Sequence, residues 1–274
     1  MDRTGEARVR ELVAAAEAGG FKLPPAVVEA VSALDRLAAM LAAVPPSTSP
    51  DAAEEAATVE ALAAVQAGRD VGDLGEKALQ ARDAAEENAA RARVLREVQE
   101  RLRYSASQSL LNCADEITAA TQGAVDGIMS EAAKLAPAIK GAESAEAVLR
   151  GGDAAVRAWR QLEALASRYA AVRQAYQVVY GAAFSSQVAD ATGAHLEFEN
   201  VTELFPSVRR TSERPWPESP AARLAFVALS ELRPWTPRPE QLNEAFEAER
   251  ERVKEQQAQA HAAAQERRVA MMRG

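Results

Sequence analysis

One cysteine and two histidines are all that 274 residues offer to thiol, imidazole or mixed-ligand metal chemistry. Cys113 alone cannot close an intramolecular disulfide, so neither an oxidising compartment nor a disulfide-linked partner is implied. No Gly-x-Ser-x-Gly elbow, His-Glu-x-x-His pair or Glu-x-x-His pair occurs, which leaves hydrolase, zincin and bundle di-metal readings without support. Long hydrophobic runs are missing as well. The richest, Leu37 to Val44, falls far short of the ~18 apolar residues that a membrane span needs. The opening MDRTGEARVRELVAAAEAGG is charged throughout and has no apolar stretch with a cleavage site, so it does not read as a secretory signal. The expected location is the cytoplasm or incorporation in a virion-like particle, with no membrane partner and no cofactor.

Basic charge is also short. With 32 Lys and Arg against 40 Asp and Glu, the net charge is −8 and the pI about 5.1, which argues against a general nucleic-acid surface, because displacing counterions needs a basic footprint. Aromatic residues make up only 5% of the chain. Alanine, at about a quarter of it, takes their place, and each buried methyl contributes far less than the ~1.5–3 kcal/mol of a buried Leu or Phe. Stability must then come from many close helix contacts. Arginine far outnumbers lysine while Ile and Asn are scarce, which looks like GC-rich coding of the kind found in actinobacterial genomes and their phages.

What is present is helical periodicity with clear punctuation. Residues 6–18 read as a first helix ended by Gly19 and Gly20, and Pro24 and Pro25 open a second that runs to Val44 with an apolar stripe of Val28, Val31, Leu34, Leu37, Leu41 and Val44. The segment 45–50 is a linker whose Ser49 caps a third helix. Three glycines in 68–75 form a plain loop, since their spacing matches no phosphate-binding pattern. A long helix starts at Asp73 and continues to about Pro137, with Leu95, Val98, Leu102, Ala106, Leu110, Cys113 and Ile117 as its seam and a bend or close packing at Gly123 and Gly127. Its stripe of Gln108, Asn112, Asp115, Gln122 and Asp126 reads as a solvated face, and Cys113 as a buried small hydrophobe. Asp153 caps another long helix with Val156, Trp159, Leu162, Ala166, Tyr169, Val172, Tyr176 and Val179 on one side. The two long helices are expected to pack antiparallel as a hairpin.

The alanine pattern breaks once. Between Ala194 and Ala221 there is none, and HLEFENVTELFPSVRRTSERPWPESP brings aromatics, prolines and arginines instead. Here Phe205, Arg209, Arg210, Arg214 and Trp216 form the strongest candidate contact surface, because aromatics and arginine dominate interface hot spots. The alternative is a cap in which Phe205 and Trp216 anchor the loop to the bundle. His195, Glu197 and Glu199 would share one face of an extended strand, but the same alternation fits a half-exposed strand with Leu196 and Phe198 inward better than it fits a metal site. A second candidate contact is the basic tail, with Arg267, Arg268, Met271 and Met272 as a docking peptide.

The expected fold is mainly α: an elongated helical bundle on a long antiparallel hairpin, with short N-terminal helices in 1–44, the linker 45–50, the hairpin in 51–192, an irregular aromatic and proline segment in 193–220, and C-terminal helices with a charged tail in 221–274. The expected function is that of a non-enzymatic structural or assembly component acting through a protein partner or a homo-oligomer, in a phage-like particle by its composition. One rival is a ligand-binding bundle or enzyme with a pocket near residues 176–200, using Tyr176, Tyr180, His195 and Glu197. A nucleic-acid-associated helical protein using Arg209, Arg210 and Arg214 is the third reading. A chain ending at Leu232 would test whether the last helix mediates assembly.

Overall fold

The computed structural model describes residues 3–45, 49–70, 73–185, 196–205 and 216–273. It is 82% helical and holds no strand among the described residues, which places the chain in the all-α class. Helices α1 (Arg3–Gly19), α2 (Pro25–Ala42), α3 (Pro50–Gln66) and α4 (Leu74–Asn112) come first. They are followed by α5 (Ala114–Ile139), the short α6 (Ala145–Leu149) and α7 (Asp153–Val179). A π-helical turn over Tyr180–Phe184, α8 (Val201–Leu204), α9 (Pro220–Leu229) and α10 (Pro239–Arg273) complete the order. No described helix is long and apolar enough to cross a membrane.

By contacts the chain divides into two units, residues 1–7 with 25–109 and residues 8–24 with 110–274. In the first, Ser49 accepts the Ala52 N–H at 3.1 Å and Pro50 occupies the first turn of α3, as capping chemistry predicts. Helix α2 buries Val27, Leu34 and Leu37, whereas Val28 is exposed. The expected stripe was therefore one position out at its start: Val27 continues the three-and-four spacing of the seam and Val28 lies about 100° round the helix from it. Glu6 of α1 pairs with Arg103 of α4 at 2.7 Å.

In the second unit α5 and α7 pack antiparallel, giving the hairpin its actual arms. Val125, Ile128, Ala132 and Ala136 of α5 meet Trp159, Leu162, Leu165 and Val172 of α7, and α9 adds Ala221, Leu224 and Ala225 to the same core. Alanine at so many of these positions lets neighbouring helix axes approach closely. The approach is also close at Gly19, where a Cβ would stand 2.8 Å from Cγ2 of Val172.

Two expectations about the long helix are corrected. It does not run unbroken from residue 73 to Pro137, because Cys113 leaves helical geometry at φ −98° and ψ 8° and separates α4 from α5. Asp115 and Glu116 then lie in the first turn of α5, where carboxylates suit the positive end of a helix. The chain also shows no close packing at Gly123 or Gly127: α5 is helical through both, and a Cβ at either would meet nothing within 4 Å. Pro137 sits inside the last turn, and Lys140 in the left-handed region at φ 48° closes the helix.

Candidate functional site

The described parts of the alanine-free stretch fold inward. Phe198 and Val201 are fully buried and form a small second core with Trp216, Val227 and Leu232. The Phe198 and Trp216 rings meet edge-on at 5.3 Å, and Phe205 and Trp216 at 6.2 Å. Trp216 is only 6% exposed and Phe205 is half-buried, the placement of anchors. Arg209, Arg210, Arg214 and His195 lie outside the described residues. Glu197 is buried, while Glu199 is exposed and pairs with Arg233 at 3.2 Å. Among the described residues no group of three His, Cys, Asp or Glu side chains is placed to hold a metal ion.

The segment Arg233–Arg238, which joins α9 to α10, is a strap held by hydrogen bonds from three directions. It is extended, with Phe198 and Pro234 in an isolated antiparallel bridge, the Glu199 N–H donating to the Arg233 carbonyl and the Trp235 N–H to the Glu197 carbonyl. Asn200 accepts the Arg233 N–H at 2.9 Å and donates to the Glu231 carbonyl at 2.8 Å. From α5, Gln122 accepts the Thr236 N–H at 2.6 Å and the Thr236 hydroxyl at 3.2 Å, and donates to the Pro234 carbonyl at 3.3 Å. The Thr236 hydroxyl also reaches the Thr118 carbonyl at 3.1 Å. From α7, Arg173 donates to the carbonyls of Trp235 and Leu196, and Tyr176 donates to the Pro237 carbonyl at 2.7 Å. An extended segment outside any sheet must satisfy its backbone this way, since an unpaired buried carbonyl or N–H costs about 1–3 kcal/mol.

Gln122 therefore does not belong to a merely solvated stripe, whereas Asp115 is exposed as that reading expects. Gln122 is half-buried against the strap, and Asp115 pairs with Arg238 at 3.5 Å. Periodicity gave no sign of this, because the partners lie more than a hundred residues away in sequence. Beside the strap runs a groove of about 550 Å³ lined by Thr118, Gln122, Glu199, Thr236, Arg238 and Gln241, among others.

Of the residues assigned to the rival pocket, Tyr176 is fully buried with its hydroxyl held by Pro237, and its ring lies 5.3 Å from the Arg173 guanidinium. Burial pushes its phenol far above the ordinary value, against a smaller opposing effect of Arg173. Tyr180 is half-buried in the π-helical turn, and burial raises its phenol as well. Cys113 is half-buried at the α4–α5 break, where burial and then the Glu116 carboxylate raise its thiol above the ordinary value, the opposite of an activated nucleophile.

Helix α10 carries the remaining candidates. Leu242 is fully buried and Phe246 half-buried, so the first two turns are anchored. From Glu247 to His261 the described side chains are exposed, except for the half-buried Arg252 and Val253. Arg267, Arg268, Met271 and Met272 lie on the backbone of the same helix, which continues to Arg273.

Fold and site together define an all-α helical protein whose last helix is strapped to an α5–α7–α9 core. Compared with protein-family models, with curated proteins and with solved structures, the chain finds no significant match.

Proposed function

We propose that this chain is a non-enzymatic structural or assembly protein acting through protein–protein contacts. The observation that carries the reading is α10. A helix of 35 residues is tied down over its first two turns by Leu242, Phe246 and the strap, and its described side chains from Glu247 to His261 are then mostly charged or polar and exposed. A helix that is polar all round needs a partner or many internal pairs. A pair such as Lys254 with Glu251, at 2.6 Å, contributes only about 0.2–0.5 kcal/mol. The sequence Arg267-Arg268-Val269-Ala270-Met271-Met272-Arg273 gives the end of α10 a basic and apolar character suited to docking on an acidic surface. The GC-rich type of composition and the abundance of alanine helices support a component of a phage-like particle.

Light scattering on the intact chain and on a shortened one tests this. Ending the chain at Leu232 would remove the strap and Leu242 and so disturb the core itself. Ending it after Ala248 keeps both, and the reading predicts a lower mass in subunits for the shortened protein than for the intact one. Two monomers of identical behaviour would refute it.

A further inference from the structure

Helix α3 and the first half of α4 form a hairpin with small residues inside and large ones outside. Among the described residues of 49–90 the buried ones are Ala53, Ala64 and Ala85, whereas Val59, Leu62 and Val65 of α3 and Leu79 of α4 are 61%, 59%, 57% and 62% exposed. At about 100° per residue Val59 and Leu62 stand on the side of α3 away from its alanines, and Asp51 and Glu55, both exposed, share that side. A scattered exposed aliphatic is ordinary. Three within two turns, over an interior of methyl groups, mark a contact.

The hairpin is also where the chain concentrates its acid. Residues 49–90 hold ten Asp and Glu against three Lys and Arg, and α3 itself carries Asp51, Glu54, Glu55 and Glu60 with no base. Glu54 pairs with Arg82 at 3.7 Å, which sets α3 beside the acidic half of α4, where Asp83 and Glu87 are exposed too. Helix α3 starts one turn before Glu54, so Arg91 and the basic residues after it stand beyond its end. A face of this charge repels its own counterpart on a second copy, as well as nucleic acid and an anionic membrane.

We propose that the outer face of α3 docks a basic amphipathic helix of a different protein, with large aliphatic side chains on Val59 and Leu62 and lysines or arginines against Asp51 and Glu55. The partner supplies the apolar bulk that an alanine interior lacks, and the charge selects which helix binds. The proposal rests on the reading of the chain as one that acts through protein contacts, and adds to α10 a second surface with a partner of stated chemistry.

The probe is a synthetic helix with leucine on one face and lysine on the other, its affinity for the full-length chain measured by fluorescence anisotropy, with circular dichroism verifying the helix content of every variant. Val59→Ser with Leu62→Ser weakens binding by about tenfold or more, and so does Asp51→Lys with Glu55→Lys. Glu143→Lys with Glu146→Lys, at exposed acids of the other unit, leaves the affinity as it is in the wild type. A probe with glutamate in place of lysine, or alanine in place of leucine, binds the wild type about tenfold more weakly or worse. Variants of α3 that bind as the wild type does overturn the site. Equal weakening by the Glu143 and Glu146 substitutions shows attraction by net charge alone and overturns it too. A lower sedimented mass of the Val59→Ser, Leu62→Ser protein by itself would make a second copy the occupant, and tighter probe binding by a chain ending after Ala248 would make it the end of α10; either result removes the foreign helix. The mass change expected on shortening α10 is read separately, so this contact can fail while that reading stands.

Discussion

Replacing Gln122 by alanine removes three hydrogen bonds to the strap at once and leaves the Thr236 N–H and the Pro234 carbonyl without their partner. The expected loss is about 1–3 kcal/mol, read from the urea midpoint of unfolding. Tyr176 is held by the same strap and adds a dependence on pH. Its folded-state phenol titrates above the ordinary value of 10.0, so the folded protein keeps its proton where the unfolded chain has lost it. Stability is then complete below about pH 10 and falls by about 1.4 kcal/mol for each unit above that, until the folded state also ionises. Tyr176→Phe should cost stability at neutral pH, because it leaves the Pro237 carbonyl unpaired, and should flatten this alkaline loss. A Tyr176→Phe protein that declines above pH 10 as steeply as the wild type would show that another group is responsible. The bonds to the strap were not legible in the sequence, where Gln122 looked like one more solvated polar residue. Its partner Pro234 is 112 residues away, and no periodicity reports a hydrogen bond of that range.

Secondary-structure elements were more readable, because their signals are local. Ser49 marks a helix start that the structure places there. The apolar face of α7 was visible from Trp159 to Val179, since large side chains at three-and-four spacing line up along one side of a helix and on no other regular backbone. The break at Cys113 was not visible: neither a glycine nor a proline stands there, and the seam continues on both sides. Glycine misled in the other direction, pointing to Gly123 and Gly127, where space is open, rather than to Gly19, where there is none. Gly19→Ala should force α1 and α7 apart at Val172 and destabilise the protein by about 1–3 kcal/mol, whereas Gly123→Ala should be neutral or stabilising by up to about 1 kcal/mol. Equal thermal midpoints for the two variants would contradict the packing of α1 on α7. The Trp216 anchor is comparably exacting. Trp216→Ala should cost about 3–5 kcal/mol through loss of the second core, with near-ultraviolet circular dichroism reporting the change.

For the molecule as a whole, the all-α class was readable from composition and periodicity, and the role in assembly is an inference from what the helices leave uncovered. An alanine-rich chain buries little apolar area per residue, and the proposed assembly role rests on what is left exposed, chiefly the described side chains of α10 from Glu247 to His261. The alanine-free segment, the least generic part of the sequence, serves where it is described to anchor the second core through Phe198, Val201 and Trp216. The surfaces proposed for partners lie elsewhere. The most direct test is the solution mass of the intact chain over a range of concentrations, beside that of the chain ending after Ala248. The account predicts an intact protein heavier than 29.2 kDa, with fewer subunits after truncation. A single species of 29.2 kDa at every concentration, unaffected in subunit number by removing the rest of α10, would contradict it.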